Sequence, residues 1–115
     1  MSTLTEQLAS RGNDMAGALA RFLDDEILYG DCFRMFLEDP GFRQLEDALA
    51  RRDASVAFDA AHTLKGVAGN LGLTALYTAL SALVEALRQG RMTGTSGLLQ
   101  AVQAERNSLF PFLSA

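Results

Sequence analysis

The chain has one histidine, one cysteine, two prolines and no tryptophan among 115 residues. Each scarcity excludes something. A single cysteine, Cys32, allows no internal disulfide and fits a reducing, cytoplasmic compartment. A zinc site needs three or four ligands, which one histidine and one cysteine do not supply. Basic residues are also few: 10 stand against 14 acidic ones, for a net charge of −4. A duplex-DNA binder would carry a basic stripe, so no nucleic-acid partner is expected. No apolar run approaches the ~18 residues that suggest a membrane span. The N-terminal MSTLTEQLASRGND lacks the basic start and apolar block of a secretory signal. No membrane partner is expected either.

What is present is helical patterning, with room for long helices because prolines are rare. Met15, Leu19, Phe22 and Leu23 recur at helical spacing behind Asn13 or Asp14 as cap. A second helix is predicted from about 26 to 38, with Leu28, Cys32, Met35 and Phe36 along one side. Pro40-Gly41 breaks it, and Phe42, Leu45 and Leu49 mark a shorter helix. Asp53 reads as the N-cap of a helix that carries the histidine and stops at Gly72. Leu73, Leu76, Tyr77, Leu80, Leu83, Val84 and Leu87 form the cleanest apolar stripe, ended by Gly90. A last helix spans about 96–110, before Pro111. No segment alternates with period two, so no strands are expected. The predicted fold is all-α: an antiparallel four-helix bundle with one or two short additional N-terminal helices. Residues 1–13 are read as an N-terminal extension or short helix, and 14–115 as the bundle domain. Beginning at Met1 and ending soon after the last helix fits a stand-alone protein, though an excised domain would look similar.

The stretch AHTLKGVAGNLGL, residues 61–73, holds the only histidine. On a helical wheel, Ala60, Leu64, Val67 and Leu71 fall within about 40° of the side opposite His62 and should face the core. Ser55, Phe58, Lys65, Gly66 and Gly69 fall within about 60° of His62 itself. The histidine is therefore expected on the outward face. Gly66 and Gly69 share that face, although each costs about 1 kcal/mol relative to alanine inside a helix. A clearing around the imidazole would let a large reactant or another protein's backbone approach. Phe58, one turn before, is either an apolar anchor for a partner or a packing residue under a neighbouring helix.

Imidazole is largely neutral and nucleophilic at neutral pH. No obvious second acid or base stands beside His62 to make a general-base site, and Cys32 is expected on the apolar side of its helix. That leaves a covalent carrier, in which attack on a phosphoryl donor gives a phosphoimidazole. Lys65, one turn on, is placed to stabilise the added charge. The chain has no GxxxxGK[ST] loop, and the first two glycines of its GxxGxxG lie within a helix, so it should not use ATP unaided. The donor would be another protein, which would also bring any magnesium. Two other readings remain at this point: a helical protein-binding adaptor without phosphotransfer, and a helical enzyme using His62 as a base.

The same stretch resembles the signature of histidine-containing phosphotransfer (HPt) domains, roughly H-x-[LIV]-K-G-x-[AS]-x-x-[LIVM]-G. The match runs through His62, Leu64, Lys65, Gly66, Ala68, Leu71 and Gly72. LYGDCFRMFLED, residues 28–39, resembles the family's preceding helix, and LVEALRQG resembles the helix after the signature. The resemblance covers about residues 14–113. It implies a four-helix bundle whose exposed histidine is phosphorylated on one ring nitrogen, typically Nε2, in a multistep two-component phosphorelay. By carry-over His62 is the phosphoacceptor, Lys65 the charge partner and Gly66 the clearance for docking. The implied partners are response-regulator receiver domains and a hybrid sensor histidine kinase. The receiver would hold the Mg ion, and this chain would bind no cofactor. A carrier of this size is expected to act as a monomer.

Overall fold

A computed structural model describes residues 3–114. Its helices are α1 (Leu4–Ala9), α2 (Met15–Arg21), α3 (Glu26–Leu37), α4 (Gly41–Ala50), α5 (Ala54–Asn70), α6 (Thr74–Arg88) and α7 (Thr95–Leu109), followed by a 3-10 turn over Phe110–Ser114. No strand occurs among the described residues. α4 packs on α5, α5 on α6, α6 on α7, and α7 returns to α4, closing a four-helix bundle. The chain turns between α4, α5 and α6 in three residues each, Arg51–Asp53 and Leu71–Leu73. Such short loops force neighbouring helices to run antiparallel. α3 and α4 pass along α5 in the opposite sense. Tyr29 of α3 meets Leu71, and Gly41 of α4 meets Leu64. This end-to-end arrangement stretches the molecule to 44 × 23 × 22 Å.

The boundaries follow from local chemistry. Asp14, Asp25 and Asp53 accept backbone N–H groups at the starts of α2, α3 and α5, Asp25 satisfying two and the others one each of the donors a helix start leaves open. Pro40 opens α4, where its missing N–H costs nothing. The N-terminal segment, undecided from sequence, forms a helix from Leu4. Thr3 and Glu6 cap it reciprocally, and hydrogen bonds from Thr3, chiefly from its backbone N–H, hold the Glu6 carboxyl below the usual carboxylate range. The Glu26 carboxylate accepts from the Thr5 N–H at 2.9 Å and its hydroxyl at 2.8 Å, tying α1 to α3. Met1 and Ser2 lie outside the described residues.

Two expected faces are rotated. In α3 the core side is aromatic: Tyr29, Phe33, Phe36 and Leu37 are buried. Tyr29 stacks with Phe33 and takes the edge of Phe22. Of the predicted stripe only Phe36 is buried; Met35 is 71% exposed, Leu28 is exposed and Cys32 is half-buried. The aliphatic row lies beside the aromatic one, and the larger ring areas decide which goes inward. In α5 the buried line is Ala57, Ala61, Leu64, Ala68 and Leu71. Leu64 and Leu71 were expected there, but Val67 is exposed and Ala60 half-buried. α5 is clasped between α4 and α6, and alanines at its contact line let both come close. Leu23, predicted apolar and helical, instead sits in the α2–α3 turn at φ 59° and is 83% exposed.

The α5–α6 turn is the best-fixed point. Gly72 is buried at φ +69°, and its carbonyl accepts the Asp14 N–H at 2.8 Å. The Tyr29 hydroxyl donates to the Leu71 carbonyl at 2.6 Å. Arg21 donates to the carbonyls of Asn70 and Gly69, both at 3.0 Å, and the Thr74 N–H donates to Asn13 Oδ1 at 3.1 Å. The carbonyls left open at the end of α5 are thus taken up by α2 and α3. Burial raises the Tyr29 pKa well above its ordinary value, so the phenol remains a donor throughout the physiological range. A side chain at Gly72 would overlap the Asp14 carbonyl and sit at a φ that L-residues avoid. Gly72→Ala should therefore lose more than about 2 kcal/mol in urea unfolding; an unchanged midpoint would contradict this packing.

Candidate functional site

His62 lies near the middle of α5, on its outward face, and is exposed. Helical side chains lean towards the helix N-terminus, and the imidazole accordingly rests on Phe58. The ring centroids are 5.6 Å apart with planes at 22°. Phe58 is half-buried against the core. The Arg88 guanidinium of α6 lies 5.8 Å from the Phe58 ring centroid and is bound to Glu85 at 2.9 Å. Gln89 Nε2 donates to the other Glu85 oxygen at 3.2 Å.

On the far side of His62 stands Lys65, half-buried, its ammonium 5.6 Å from the Tyr77 ring centroid. It has no carboxylate partner among the described residues, where Arg88–Glu85 is the one ion pair. A cation held by an exposed aromatic ring is bound by only about 0.5–1 kcal/mol. A charge-assisted hydrogen bond contributes about 1.5–3 kcal/mol. A phosphoryl group within reach would therefore draw the ammonium off the ring.

The two glycines differ. A side chain at Gly66 would meet nothing within 4 Å, so the backbone there is open to solvent. At Gly69 the space is already filled, because an added carbon would lie 3.2 Å from the Tyr77 ring. The clearing expected at Gly69 is a seat for Tyr77, and the glycine serves helix packing. Tyr77 was expected in the α6 core stripe; it is 40% exposed and turned towards Lys65 and Gly69.

The sequence brought His62, Lys65, Gly66 and Phe58 together through one helical wheel. It did not bring in Arg88 and Tyr77, which come from α6. A usable signal existed: Gly72 makes α5 and α6 antiparallel, and Phe58 and Arg88 stand at similar distances from it along the two helices. No group of three or more His, Cys, Asp or Glu among the described residues could hold a metal. Among the described residues, no helix is long and apolar enough to cross a membrane.

The fold agrees with comparison to known families. The Hpt domain model matches residues 31–109, from α3 to the end of α7. That is well over half of the chain and includes the whole outward face of α5. The chain belongs to the Hpt domain family. At the level of that family, such domains serve histidine phosphotransfer in phosphorelays and interact with response-regulator receiver domains. Comparison with curated proteins and with solved structures gives no significant match.

The glycine assignment separates in equilibrium unfolding. Gly66→Ala should stabilise by up to about 1 kcal/mol, because it adds helix propensity in open space. Gly69→Ala should forfeit that gain, because the Tyr77 ring must move. Equal effects of the two substitutions would contradict the distinction.

Proposed function

We propose that this protein is a phosphoryl carrier that accepts a phosphoryl group on His62 from a receiver-domain aspartate and passes it to a second receiver. The observation that carries this reading is the placement of His62. It is exposed at mid-helix, with open backbone at Gly66 and an uncommitted cation at Lys65. In the transfer, the Nε2 lone pair attacks phosphorus. The N–P bond forms as the P–O bond to the aspartyl carboxylate breaks, and the carboxylate leaves with the electron pair. Lys65 then pairs with the phosphoryl oxygens in place of the Tyr77 ring. The return step reverses these bonds on another aspartate. The Mg ion that such chemistry uses belongs to the receiver, and a hybrid sensor histidine kinase is the fitting upstream source. The carrier works as a cytoplasmic monomer with no ATP-dependent activity of its own.

Exposed apolar surface on another side of α5 is in keeping with a protein rather than a small-molecule donor. A groove of about 480 Å³ between α3 and α5 is lined by Cys32, Met35, Phe36 and Val67, with Glu38 and Asp39 at its edge. Met35 is the most open of these apolar chains. Such a surface is what a protein partner covers.

The reading is tested by incubating the protein with a receiver domain carrying labelled phosphate. The wild type should take up an acid-labile label, His62→Gln should take up none, and Lys65→Ala should label about tenfold more slowly. Label persisting in His62→Gln would contradict the assignment. Binding to receivers with no transfer, and no effect of His62→Ala, would favour the adaptor reading instead.

A further inference from the structure

An exposed imidazole attached only through its Cβ turns about two side-chain torsions. In-line attack on phosphorus needs the opposite, a nitrogen held about 3–3.5 Å from the reacting atom with its lone pair aimed. The His62 ring has no hydrogen-bond partner among the described residues, so nothing polar fixes its plane. Among the described residues its one directional contact is the phenyl ring of Phe58, at 5.6 Å and 22°. That geometry falls in the range where aromatic pairs attract as offset stacks.

Phe58 can act as a restraint only if it is itself held, and it is held from two directions. Its inner side packs against the core. The Arg88 guanidinium lies against its ring at 5.8 Å, and the half-exposed 2.9 Å ion pair with Glu85 orients Arg88. A chain of contacts therefore runs from an ion pair on α6, through the phenyl ring, to the imidazole. The lean of helical side chains towards the N-terminus puts the restraint on the Phe58 side. The Gly66 side stays open for an incoming group.

We propose that Phe58 is the positioning residue of the site: the His62–Phe58 stack, backed by Arg88, fixes the imidazole plane for attack on phosphorus. The assignment rests on the carrier reading and gives Phe58 a part separate from partner docking. Phe58 exchanges no atoms or electrons in the step. It raises the fraction of imidazoles aimed correctly.

The test uses the full chain and a receiver domain phosphorylated by acetyl phosphate, with receiver concentration varied. Phe58→Leu removes the plane; Phe58→Tyr keeps it. Phe58→Leu should lower the maximal transfer rate by about three- to tenfold, leave the half-saturating receiver concentration unchanged, and abolish the phenyl ring-current shift on the His62 imidazole protons. Phe58→Tyr should restore both rate and shift. Phe58→Met serves the same purpose if the leucine variant fails to fold. Three outcomes overturn the assignment. One is a leucine variant as fast as wild type. Another is a tyrosine variant as slow as leucine. The third is an effect confined to the half-saturating concentration, which would make Phe58 a docking contact. A wild type that takes no phosphate from the receiver overturns the carrier reading itself. A labelled wild type matched by Phe58→Leu overturns only the positioning role.

Discussion

The rest of the structure depends on how the end of α5 is tied down. A helix inside a bundle can rotate about its axis at modest cost unless something fixes its phase. Here the last carbonyls of α5 and its turn are claimed by three residues from the N-terminal region: Arg21 at Gly69 and Asn70, Tyr29 at Leu71, and Asp14 at Gly72. A buried carbonyl stripped of its donor costs more than the bond gains in water, so the buried Tyr29–Leu71 bond opposes rotation most and the exposed Arg21 bonds add to it. With the phase set, Ala57, Ala61, Leu64, Ala68 and Leu71 face inward. His62 is then necessarily outward. The short helices α1 and α2 and the aromatic face of α3 thus serve the site.

The outward face is organised by flat groups and cations rather than by a network of hydrogen bonds. Two cations flank the imidazole along α5, and each rests on an aromatic ring: Arg88 on Phe58, Lys65 on Tyr77. They differ in commitment. Arg88 is neutralised by Glu85, whereas Lys65 has no carboxylate. The first arrangement is suited to holding a ring still and the second to meeting a new anion. α6 supplies one partner of each pair, so the α5–α6 antiparallel pairing that buries the core also assembles the site.

Much of this was legible in the sequence, and the failures share one cause. Helix starts and stops were readable because they depend on local chemistry: Asp53 as cap, Pro40-Gly41 as break, Gly72 and Gly90 as stops. The outward direction of His62 was readable because a single wheel decides it. The signature around His62 carried the family. What was misread depended on a neighbour. Val67 looked like core because the wheel puts it on the side opposite His62, yet two flanking helices can come close only over the alanines. Met35 and Leu28 looked inward because the competing aromatic row lies one residue away. Gly69 looked like a docking gap because Tyr77 of another helix, its actual occupant, is invisible on the wheel. The locks by Tyr29 and Arg21 were likewise beyond reach, since each spans two elements whose contact no local pattern announces.

The central claim is that one outward imidazole takes up phosphorus. With a single histidine in the chain, 15N-histidine labelling reports on one site alone. Phosphorus and nitrogen NMR of the labelled protein, mixed with a phosphorylated receiver domain, is the most direct measurement. The account predicts one phosphoramidate signal coupled to Nε2 of His62, appearing as the aspartyl phosphate disappears. Loss of the aspartyl phosphate with both His62 nitrogens unchanged, or phosphate found on any other residue, would contradict it.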